Sequence, residues 1–268
     1  MSISVELAGG ICNMAYQIAF IESLGQKYFM DVCYPNFESH INHLKAGYDW
    51  TRHADEYRNV FKNIDFHKNS HAHANQTNRR HIPFHYTEIV PKDGDHFVGY
   101  FQSEKFFYNN AFIKWLFEPS DYVKSRLEKY LPLFNIGTTC AIHVRRGNYL
   151  TLSDIHPPLG FGYYALAIDE IQKTEDVDAF LIFSNDIEWC KSAFIGDKFI
   201  FIEDTDYVEL YLGSMCTHHI IANSSFSAWM AILGERDVSK VIAPEIWFGK
   251  QLPIDYAKDI TPDRWIKI

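Results

Sequence analysis

Two adjacent arginines follow a short apolar run in the middle of the chain, and their chemistry is the most informative in the sequence. The run Thr139–Ile142 is rich in strand-forming residues and continues into His143, Arg145 and Arg146. Ligands of open α/β sheets bind at the carboxyl ends of strands, and a guanidinium grips a phosphate through two parallel hydrogen bonds. The segment therefore predicts a site for a phosphate compound. The alternative is a surface arginine pair that makes exposed salt bridges.

A second segment, from Ile221 to Ser227, has the pattern of a strand end followed by a helix start. Ser224 and Ser225 offer hydroxyl groups there, and the unpaired N–H groups at the start of a helix favour an anion. The same serines also fit the ordinary role of a helix N-cap. Both interpretations are open from the sequence.

Two further loops follow predicted strands and carry small or polar residues. Gly9 and Gly10 come after the strand Ile3–Leu7 and before a helical pattern that contains Asn13. Glycine lets the backbone approach a ligand closely, and the Asn13 amide can donate toward a bound group. The segment Phe183–Asp186 ends a later strand. Because such loops converge at one edge of a parallel sheet, they are expected to line one site.

The elements that must position these loops alternate between strands and helices, most regularly in the second half of the chain. Apolar strands are predicted at Thr139–Val144, Ala179–Ser184, Lys198–Ile202, His218–Ala222 and Lys240–Ala243. Helices are predicted at Tyr163–Lys173, Tyr207–Met215 and Phe226–Leu233. Strands that are apolar along their whole length indicate a parallel sheet covered on both faces. In the first half, helical periodicity runs over Ala111–Leu131, with a helix start at Asp121.

Length and composition place the chain among ordinary globular proteins. Its 268 residues can form two domains, and Leu131–Gly137 is a candidate hinge between residues 1–135 and 136–268. The formal net charge of −9 argues against a nucleic-acid-binding surface. Five cysteines without a C-x-x-C pair favour a reducing compartment and no structural zinc. No signal-peptide pattern or membrane span is visible, so a cytosolic location is expected.

The segment between Pro35 and Pro91 is polar and rich in histidine. A metal site is conceivable there, but the histidine spacings match no zinc signature, and we expect a solvated loop region instead. The histidines concerned are His67, His71, His73, His81 and His85.

Taken together, the motifs resemble those of the α1,2-fucosyltransferase family. That family shows G-G-x-x-N, H-x-R-R-x-D-Y, F-S-x-D and I-A-N-S-S-[FY]-S, and Pro244–Phe248 is similar to its P-x-x-W-F segment. The resemblance is strongest from Thr139 to Phe248. It implies a GT-B-like α/β fold, in which two Rossmann-like domains face each other across a cleft. Residues 1–135 would form the acceptor side, and residues 136–268 would bind the nucleotide sugar.

The resemblance also implies a function. The protein would be an inverting enzyme that moves fucose from GDP-fucose to a galactose-terminated glycan, forming an α1,2 link without a metal cofactor. Arg145 would stabilise the departing diphosphate, with His143 in the same catalytic pocket. Glu209 would accept N–H bonds from guanine, and Phe226 would lie near the base. Further nucleotide-sugar contacts would come from Arg146, Ser184, Asp186, Asn223, Ser224, Ser225, Gly10 and Asn13.

Two positions depart from the family pattern and keep alternatives open. The family aspartate of H-x-R-R-x-D-Y is Asn148 here, and an amide cannot take up a proton. Cys12 stands where the family has a glycine. Asp154, His156 and Asp31 are candidate bases on chemical grounds, and none is assigned. One alternative is therefore a glycan- or nucleotide-binding relative without turnover.

A second alternative uses the D-x-D pattern of Asp204 and Asp206, just after an apolar strand. Metal-dependent glycosyltransferases hold a divalent cation and a nucleotide diphosphate at such a pattern, and carboxylates are suitable ligands for a hard cation. Acidic residues are also favoured at a helix start, such as the one predicted at Tyr207. We favour the helix-start interpretation because D-x-D is short and common.

Overall fold

The computed structural model describes residues 1–47, 53–67, 77–80, 84–107, 110–252 and 254–268. The chain divides into two compact units. The first contains Met1–Tyr122 and Asp255–Pro262, and the second contains Val123–Ile254 and Asp263–Ile268. Each unit is built on its own parallel sheet, which confirms the predicted α/β class. No helix in the described part of the chain is long and apolar enough to span a membrane.

The first unit has a four-stranded sheet in the order β2-β1-β4-β3, and all its strand pairs are parallel. The strands are β1 (Ser2–Glu6), β2 (Asp31–Cys33), β3 (Thr77–Arg80) and β4 (Asp95–Val98). The helices are α1 (Ile11–Tyr28), α2 (Phe37–Gly47) and α3 (Asn110–Leu116), with 3-10 helices at Ala54–Asn59, Glu104–Phe106 and Ile254–Ala257, of which Ile254 is assigned to the second unit.

Helix α1 forms because apolar residues recur along it at helical spacing. It buries most of its length, including Phe20, whose ring stacks on Phe101 with 3.9 Å between centroids. Gly10 caps its start, and the helix ends at Phe29, which adopts a left-handed backbone conformation. The helix predicted after the Gly-Gly turn is thus confirmed. Its N-terminus lies at the carboxyl end of β1.

Helix α2 falls in the polar segment where the sequence predicted only loop. Phe37, Ile41 and Leu44 are buried, and their spacing of four and three residues places them on one face of a helix. The described part of this segment also contains β3. His71, His73 and His81 lie outside the described residues, whereas His67 and His85 lie within them.

The second unit has a six-stranded, wholly parallel sheet in the order β10-β9-β8-β5-β6-β7. Its strands are β5 (Thr139–Val144), β6 (Ala179–Ser184), β7 (Phe199–Ile202), β8 (His218–Ile220), β9 (Val241–Ala243) and β10 (Ile266–Lys267). Its helices are α4 (Asp121–Leu127, which begins at the end of the first unit), α5 (Phe161–Gln172), α6 (Ile187–Ala193), α7 (Asp206–Ser214) and α8 (Ser225–Gly234). 3-10 helices lie at Glu128–Asn135 and Gly147–Leu150.

Strand β5 is buried along all six residues, as expected of a central strand covered on both faces. The five strands predicted in the second half are confirmed, and β10 adds a short edge strand that the sequence analysis missed. Because all strands run in the same direction, the segments after β5, β6, β7 and β8 leave the same edge of the sheet. This edge carries most of the predicted site residues.

Most of the segment predicted as a hinge lies in the 3-10 helix Glu128–Asn135, which belongs to the second unit. The start of this helix is held by Asp204, which accepts a hydrogen bond from Tyr130 Oη at 2.8 Å and lies 2.7 Å from Lys129 Nζ. The compact units therefore divide near Tyr122. The assignment of an acceptor role to residues 1–135 and a nucleotide-sugar role to residues 136–268 stays a prediction.

Candidate active site

His143 is buried near the end of β5 and ties this strand to α8. Its Nδ1 lies 2.5 Å from Ser227 Oγ, and its ring contacts Phe226 with 4.9 Å between centroids. Burial, with a smaller contribution from Arg145, lowers the pKa of His143 to about 3. The imidazole is therefore neutral at neutral pH. In this state it can position its neighbours through hydrogen bonds and contributes no positive charge.

Arg145 follows β5 and is fixed by the turn that comes after it. Its Nη2 donates to Asn148 Oδ1 at 2.9 Å, and its guanidinium carbon lies 5.2 Å from the ring centroid of Tyr149. Burial lowers the pKa of Arg145, yet a guanidinium keeps its charge in proteins. The turn thus positions a permanent cation at the carboxyl edge of the sheet.

The turn that positions Arg145 depends on Gly147. This residue has a φ of +48°, a conformation that glycine adopts without strain. A side-chain carbon at this position would also collide with the amide nitrogen of Asn185, which follows β6. Asn185 Oδ1 in turn accepts a hydrogen bond from the Arg146 backbone N–H at 2.9 Å. The ends of β5 and β6 are therefore locked together by the same short turn.

Tyr149 connects the Arg145 turn with the segment before α8. The Tyr149 hydroxyl donates to the Asn223 carbonyl oxygen at 3.2 Å, and the residue is 8% exposed. Burial raises the pKa of Tyr149, against smaller opposing contributions from Arg145 and the Ser224 hydroxyl. The sequence motif contains Tyr149, but the sequence analysis gave it no role. The structure shows that it joins the two predicted phosphate-binding segments.

The residues at the start of α8 have the geometry of a helix N-cap. Ser224 has an extended backbone, and its Oγ accepts a hydrogen bond from the Phe226 backbone N–H at 3.3 Å. Ser225, the first residue of the helix, is half-buried. An N-cap serine does not exclude an anion site, because the other N–H groups of the first turn still carry the positive end of the helix dipole.

The side chain of Asn223 fixes the segment that leads into α8. Its Nδ2 donates to the carbonyl oxygens of Pro157 and Trp247, both at 3.0 Å. Its Oδ1 is buried, and within the described residues it has no hydrogen-bond partner. A buried acceptor in this state is costly unless water or a ligand satisfies it. The Asn223 side chain therefore holds this segment against Pro157 and Trp247, and its Oδ1 is an acceptor that a ligand or water could use.

His156 extends the same stack of side chains. Its ring lies parallel to that of Tyr149 at 4.7 Å and contacts Phe248 at 5.6 Å. Burial, with a smaller contribution from Arg145, lowers the pKa of His156. Among the described residues, none hydrogen-bonds its buried Nδ1. Of the three candidate bases suggested by chemistry alone, His156 is thus the one placed beside Tyr149 and Arg145.

Arg146 points to different partners from those of Arg145. Its Nε donates to Asp186 Oδ2 at 2.9 Å, and its guanidinium carbon lies 4.2 Å from the Trp189 ring centroid. Asp186 also caps α6, and the Ser184 hydroxyl accepts the Asp186 backbone N–H at 2.9 Å. Arg146, Ser184 and Asp186 therefore form one cluster at the end of β6. Their predicted contacts with a nucleotide sugar stay predictions.

Glu209 lies on α7, beyond the end of β7. Its Oε1 accepts a hydrogen bond from the Asp204 backbone N–H at 3.0 Å. Burial raises the pKa of Glu209 to about 8, although this hydrogen bond opposes the shift. At neutral pH the carboxyl group is therefore mostly protonated. No basic side chain among the described residues acts on this carboxyl group, and a ligand that donates N–H groups would favour its ionised form.

The D-x-D residues have partners within the protein. Asp204 accepts from Arg126 Nη2 at 3.1 Å, in addition to Lys129 and Tyr130. Burial acts to raise the pKa of Asp204, but hydrogen bonds from Lys129, the Thr205 backbone N–H and Tyr130 lower it to about 2. Asp206 Oδ1 accepts the Tyr207 backbone N–H at 2.8 Å at the start of α7. The contacts favour the interpretation as a helix start and ion pair.

The described residues contain no group of three or more His, Cys, Asp or Glu side chains arranged to hold a metal ion. His67 and His85 belong to no such group, and the other three histidines of the predicted cluster lie outside the described residues.

Gly10 and Asn13 lie in the first unit, at the start of α1. Gly9 has a φ of +75°, and a side-chain carbon there would collide with the Asn13 amide. Asn13 Oδ1 accepts a hydrogen bond from Gln102 Nε2 at 2.8 Å. Cys12, which replaces the family glycine, is buried. The loop is therefore closely packed, and Asn13 is fixed against it.

Comparisons with known proteins agree with the resemblance seen in the motifs. The profile of glycosyl transferase family 11 matches residues 55–268. An α-1,2-colitosyltransferase of Escherichia coli is 31% identical over 182 residues, which cover 64% of this chain and 62% of that protein. Galactoside α-(1,2)-fucosyltransferase 2 of Gorilla gorilla gorilla is 27% identical over 175 residues, which cover 58% of this chain and 47% of that protein. The chain thus spans about six tenths of the length of the colitosyltransferase and about half of the length of the fucosyltransferase.

The fold has a counterpart among solved structures. Fucosyltransferase NodZ from Bradyrhizobium superposes with a TM-score of 0.56 at 10% identity, covering 87% of this chain and 92% of that one. At this identity the likeness concerns the fold, and it confirms the predicted GT-B-like α/β class. The family profile covers most of the chain, including every predicted site residue from His143 to Phe226. The chain belongs to glycosyl transferase family 11.

Proposed function

We propose that the protein is an inverting transferase that moves fucose from GDP-fucose to a galactoside hydroxyl and forms an α1,2 link. One relationship carries the proposal: Tyr149 packs under the Arg145 guanidinium and hydrogen-bonds the segment that leads into α8. A permanent cation and a helix N-terminus are thereby joined through one side chain. The names of the relatives, an α-1,2-colitosyltransferase and a galactoside α-(1,2)-fucosyltransferase, support the linkage.

The proposed step is a displacement at the anomeric carbon. The acceptor hydroxyl oxygen forms the new bond and gives up its proton to water, the bond between the anomeric carbon and the β-phosphate oxygen breaks, and GDP leaves with the electron pair. Arg145 stabilises the developing charge together with the N–H groups and the hydroxyls of Ser224 and Ser225 at α8. His143 stays neutral and holds β5 against α8. Fixed charges and dipoles of this kind stabilise a leaving diphosphate without a metal ion.

The guanine base is proposed to lie near Glu209 and Phe226. Guanine presents N–H donors on its Watson–Crick edge, and a carboxylate accepts them. Glu209 lies at the carboxyl edge of the sheet on which Arg145 is also placed. Arg146, Ser184 and Asp186 lie between them, at the end of β6. In the first unit, Gly10 and Asn13 are proposed to face the fucose or the acceptor.

A second candidate donor carries colitose. The E. coli relative is named as a colitosyltransferase, and its identity to this chain is 31%. Both sugars belong to the deoxyhexoses, so the same diphosphate site serves either donor.

The buried state of all five cysteines, each present as a thiol, supports the expected cytosolic location.

The proposal is tested by incubating the protein with lactose and either GDP-fucose or a GDP-linked colitose donor. NMR of the product gives the linkage, and parallel reactions contain EDTA or Mn²⁺. We expect an α1,2-fucosylated product and equal rates with and without EDTA. Activity that disappears in EDTA and returns with Mn²⁺ would favour the alternative based on Asp204 and Asp206. Tight GDP binding without product would favour a binding protein.

A further inference from the structure

A pocket of about 440 Å³ lies in the first unit, beside the carboxyl ends of β1 and β4. Its volume falls within the range of about 300–1,000 Å³ that is usual for small-molecule sites. Nine of its ten lining residues precede residue 55, where the match to the family profile begins. The profile match therefore leaves most of this pocket uncovered, and its chemistry is inferred from its own side chains.

The polar wall of the pocket contains Glu6, Asn36 and His40. The Asn36 side chain is fixed by two hydrogen bonds, from Leu7 N–H at 2.9 Å and to the Leu7 carbonyl at 2.8 Å. His40 Nε2 lies 2.8 Å from the Gly9 carbonyl oxygen. Since a carbonyl only accepts, this nitrogen carries the hydrogen, and Nδ1 offers a lone pair when the ring is neutral. The Asn36 and His40 side chains are thus held in place before any ligand binds.

The charges of the side chains in the polar wall limit the kind of ligand that can bind. The Glu6 carboxyl side chain is 50% exposed, and burial lowers the pKa of His40, which keeps that ring neutral at neutral pH. A carboxylate beside a neutral imidazole repels a phosphate and accepts hydrogen bonds from hydroxyl groups. No metal-binding group of three ligands includes these residues in the described part of the chain. The pocket therefore suits a neutral molecule with several hydroxyl donors.

An aromatic platform completes the pocket. Tyr100 follows β4 and is 38% exposed, and its ring stacks nearly parallel on Phe84 with 5.7 Å between centroids. Phe84 supports one face of the ring, which holds the phenol in a fixed orientation. Aromatic rings offer a large apolar contact area with a polar tip. An aromatic face next to fixed acceptors matches a pyranose, which has an apolar C–H face and polar edges.

We propose that this pocket binds a hexose of the acceptor glycan, whose hydroxyls donate to Glu6 and His40 and whose C–H face lies on Tyr100. The choice of a galactoside as this hexose rests on the proposed function. The presence of a hexose site rests only on the pocket.

The test is a titration of the whole chain with lactose, followed by saturation-transfer NMR with and without saturating GDP. We expect saturable binding to the unchanged protein and a loss of about tenfold or more in affinity for Glu6→Gln and for Tyr100→Ala, the scale of losing a charged hydrogen bond. Matched controls are Glu38→Gln and Tyr122→Ala, exposed residues of the same unit that do not line the pocket. Both controls should bind lactose like the unchanged protein.

The thermal shift caused by GDP is measured on the same samples. An equal GDP shift in all variants shows that they are folded, and a missing GDP shift in the unchanged protein would contradict the proposed function alone. The pocket proposal is overturned by lactose binding that is unaffected by Glu6→Gln and Tyr100→Ala. It is also overturned if the unchanged protein binds no lactose in either condition.

Discussion

The Tyr149 hydroxyl donates a hydrogen bond to the Asn223 carbonyl oxygen across 3.2 Å. This bond joins the turn after β5 to the segment that opens α8, two stretches separated by more than seventy residues. The ring of the same tyrosine lies under the Arg145 guanidinium. Tyr149 therefore contacts both the cation and the segment before the helix, in addition to the link that His143 and Ser227 make between β5 and α8.

Substitution of Tyr149 separates its two contacts. Tyr149→Phe keeps the ring under Arg145 but loses the hydrogen bond, and it should lower the free energy of unfolding by about 1 kcal/mol. Tyr149→Leu removes the aromatic face as well and should lower kcat further. Chemical denaturation and steady-state kinetics measure the two effects. A Phe variant with less than about 1% of the original kcat would mean that the hydroxyl contacts the substrate itself, because one neutral hydrogen bond is too weak for such a loss.

Removal of Arg145 should affect the chemical step most. Arg145→Ala is expected to lower kcat by about 10²–10³-fold, the usual cost of losing one donor to a developing negative charge. Arg145→Lys keeps the charge but loses the planar geometry that donates to Asn148, and it should recover only part of the rate. Arg58→Ala, which removes an exposed partner of Glu38, is the matched control. Near-normal turnover by Arg145→Ala would exclude the proposed role.

Asn148→Asp tests the departure from the family motif. It places a carboxylate within 2.9 Å of Arg145 Nη2, which partly offsets the positive charge offered to a diphosphate. We expect a higher free energy of unfolding and a GDP affinity that is about fivefold weaker, in line with a coupling of about 1 kcal/mol. Calorimetric titration with GDP measures the affinity, and Asn148→Ala serves as the neutral control. Tighter GDP binding by the Asp variant would contradict this electrostatic account.

GDP binding should depend on pH through Glu209. Burial raises the pKa of this carboxyl group to about 8, so the ligand-free protein holds a proton there at neutral pH. Guanine N–H donors favour the ionised form, and binding must then release that proton. The affinity for GDP should therefore rise from about pH 6 up to the pKa near 8 and level off above it. Titrations in buffers of different ionisation enthalpy detect the release, which Glu209→Gln should abolish.

The two D-x-D carboxylates should behave differently. Asp204→Asn weakens contacts with Arg126 and Lys129 and should destabilise the protein, by about 1–3 kcal/mol. Because the folded-state pKa of Asp204 is lowered to about 2, its contribution is present above the unfolded value and is lost as the pH falls toward 2. Asp206→Asn should change kcat less than about threefold, as expected of a helix-start residue. Loss of activity in the Asp206 variant, restored by excess Mn²⁺, would support a metal site instead.

Much of the second unit is predictable from sequence because its strands are apolar from end to end. The bounds of β5 and β6 agree with the prediction residue by residue. Strand β10 has only two residues, too few to leave a pattern. Helix α2 did carry a signal in the spacing of Phe37, Ile41 and Leu44, but the polar residues around them obscured it.

The site is less predictable because its contacts join distant parts of the chain. The motif indicates that Arg145 and Arg146 follow a strand, but nothing local shows that Arg146 pairs with Asp186, forty residues later. The same holds for the Tyr149 bond to Asn223. Side chains of adjacent residues leave a strand end in different directions, so chemical similarity between neighbours does not predict a shared partner.

The pairing of Arg146 with Asp186 has a consequence for the use of the double-arginine motif. One guanidinium is attached to the neighbouring strand end, while the other is the better candidate for ligand chemistry. A sequence search that requires both arginines therefore selects partly for a structural ion pair. Homologues that replace the Arg146–Asp186 ion pair with two apolar residues would be missed by such a search, although they can retain Arg145, the better candidate for binding the substrate.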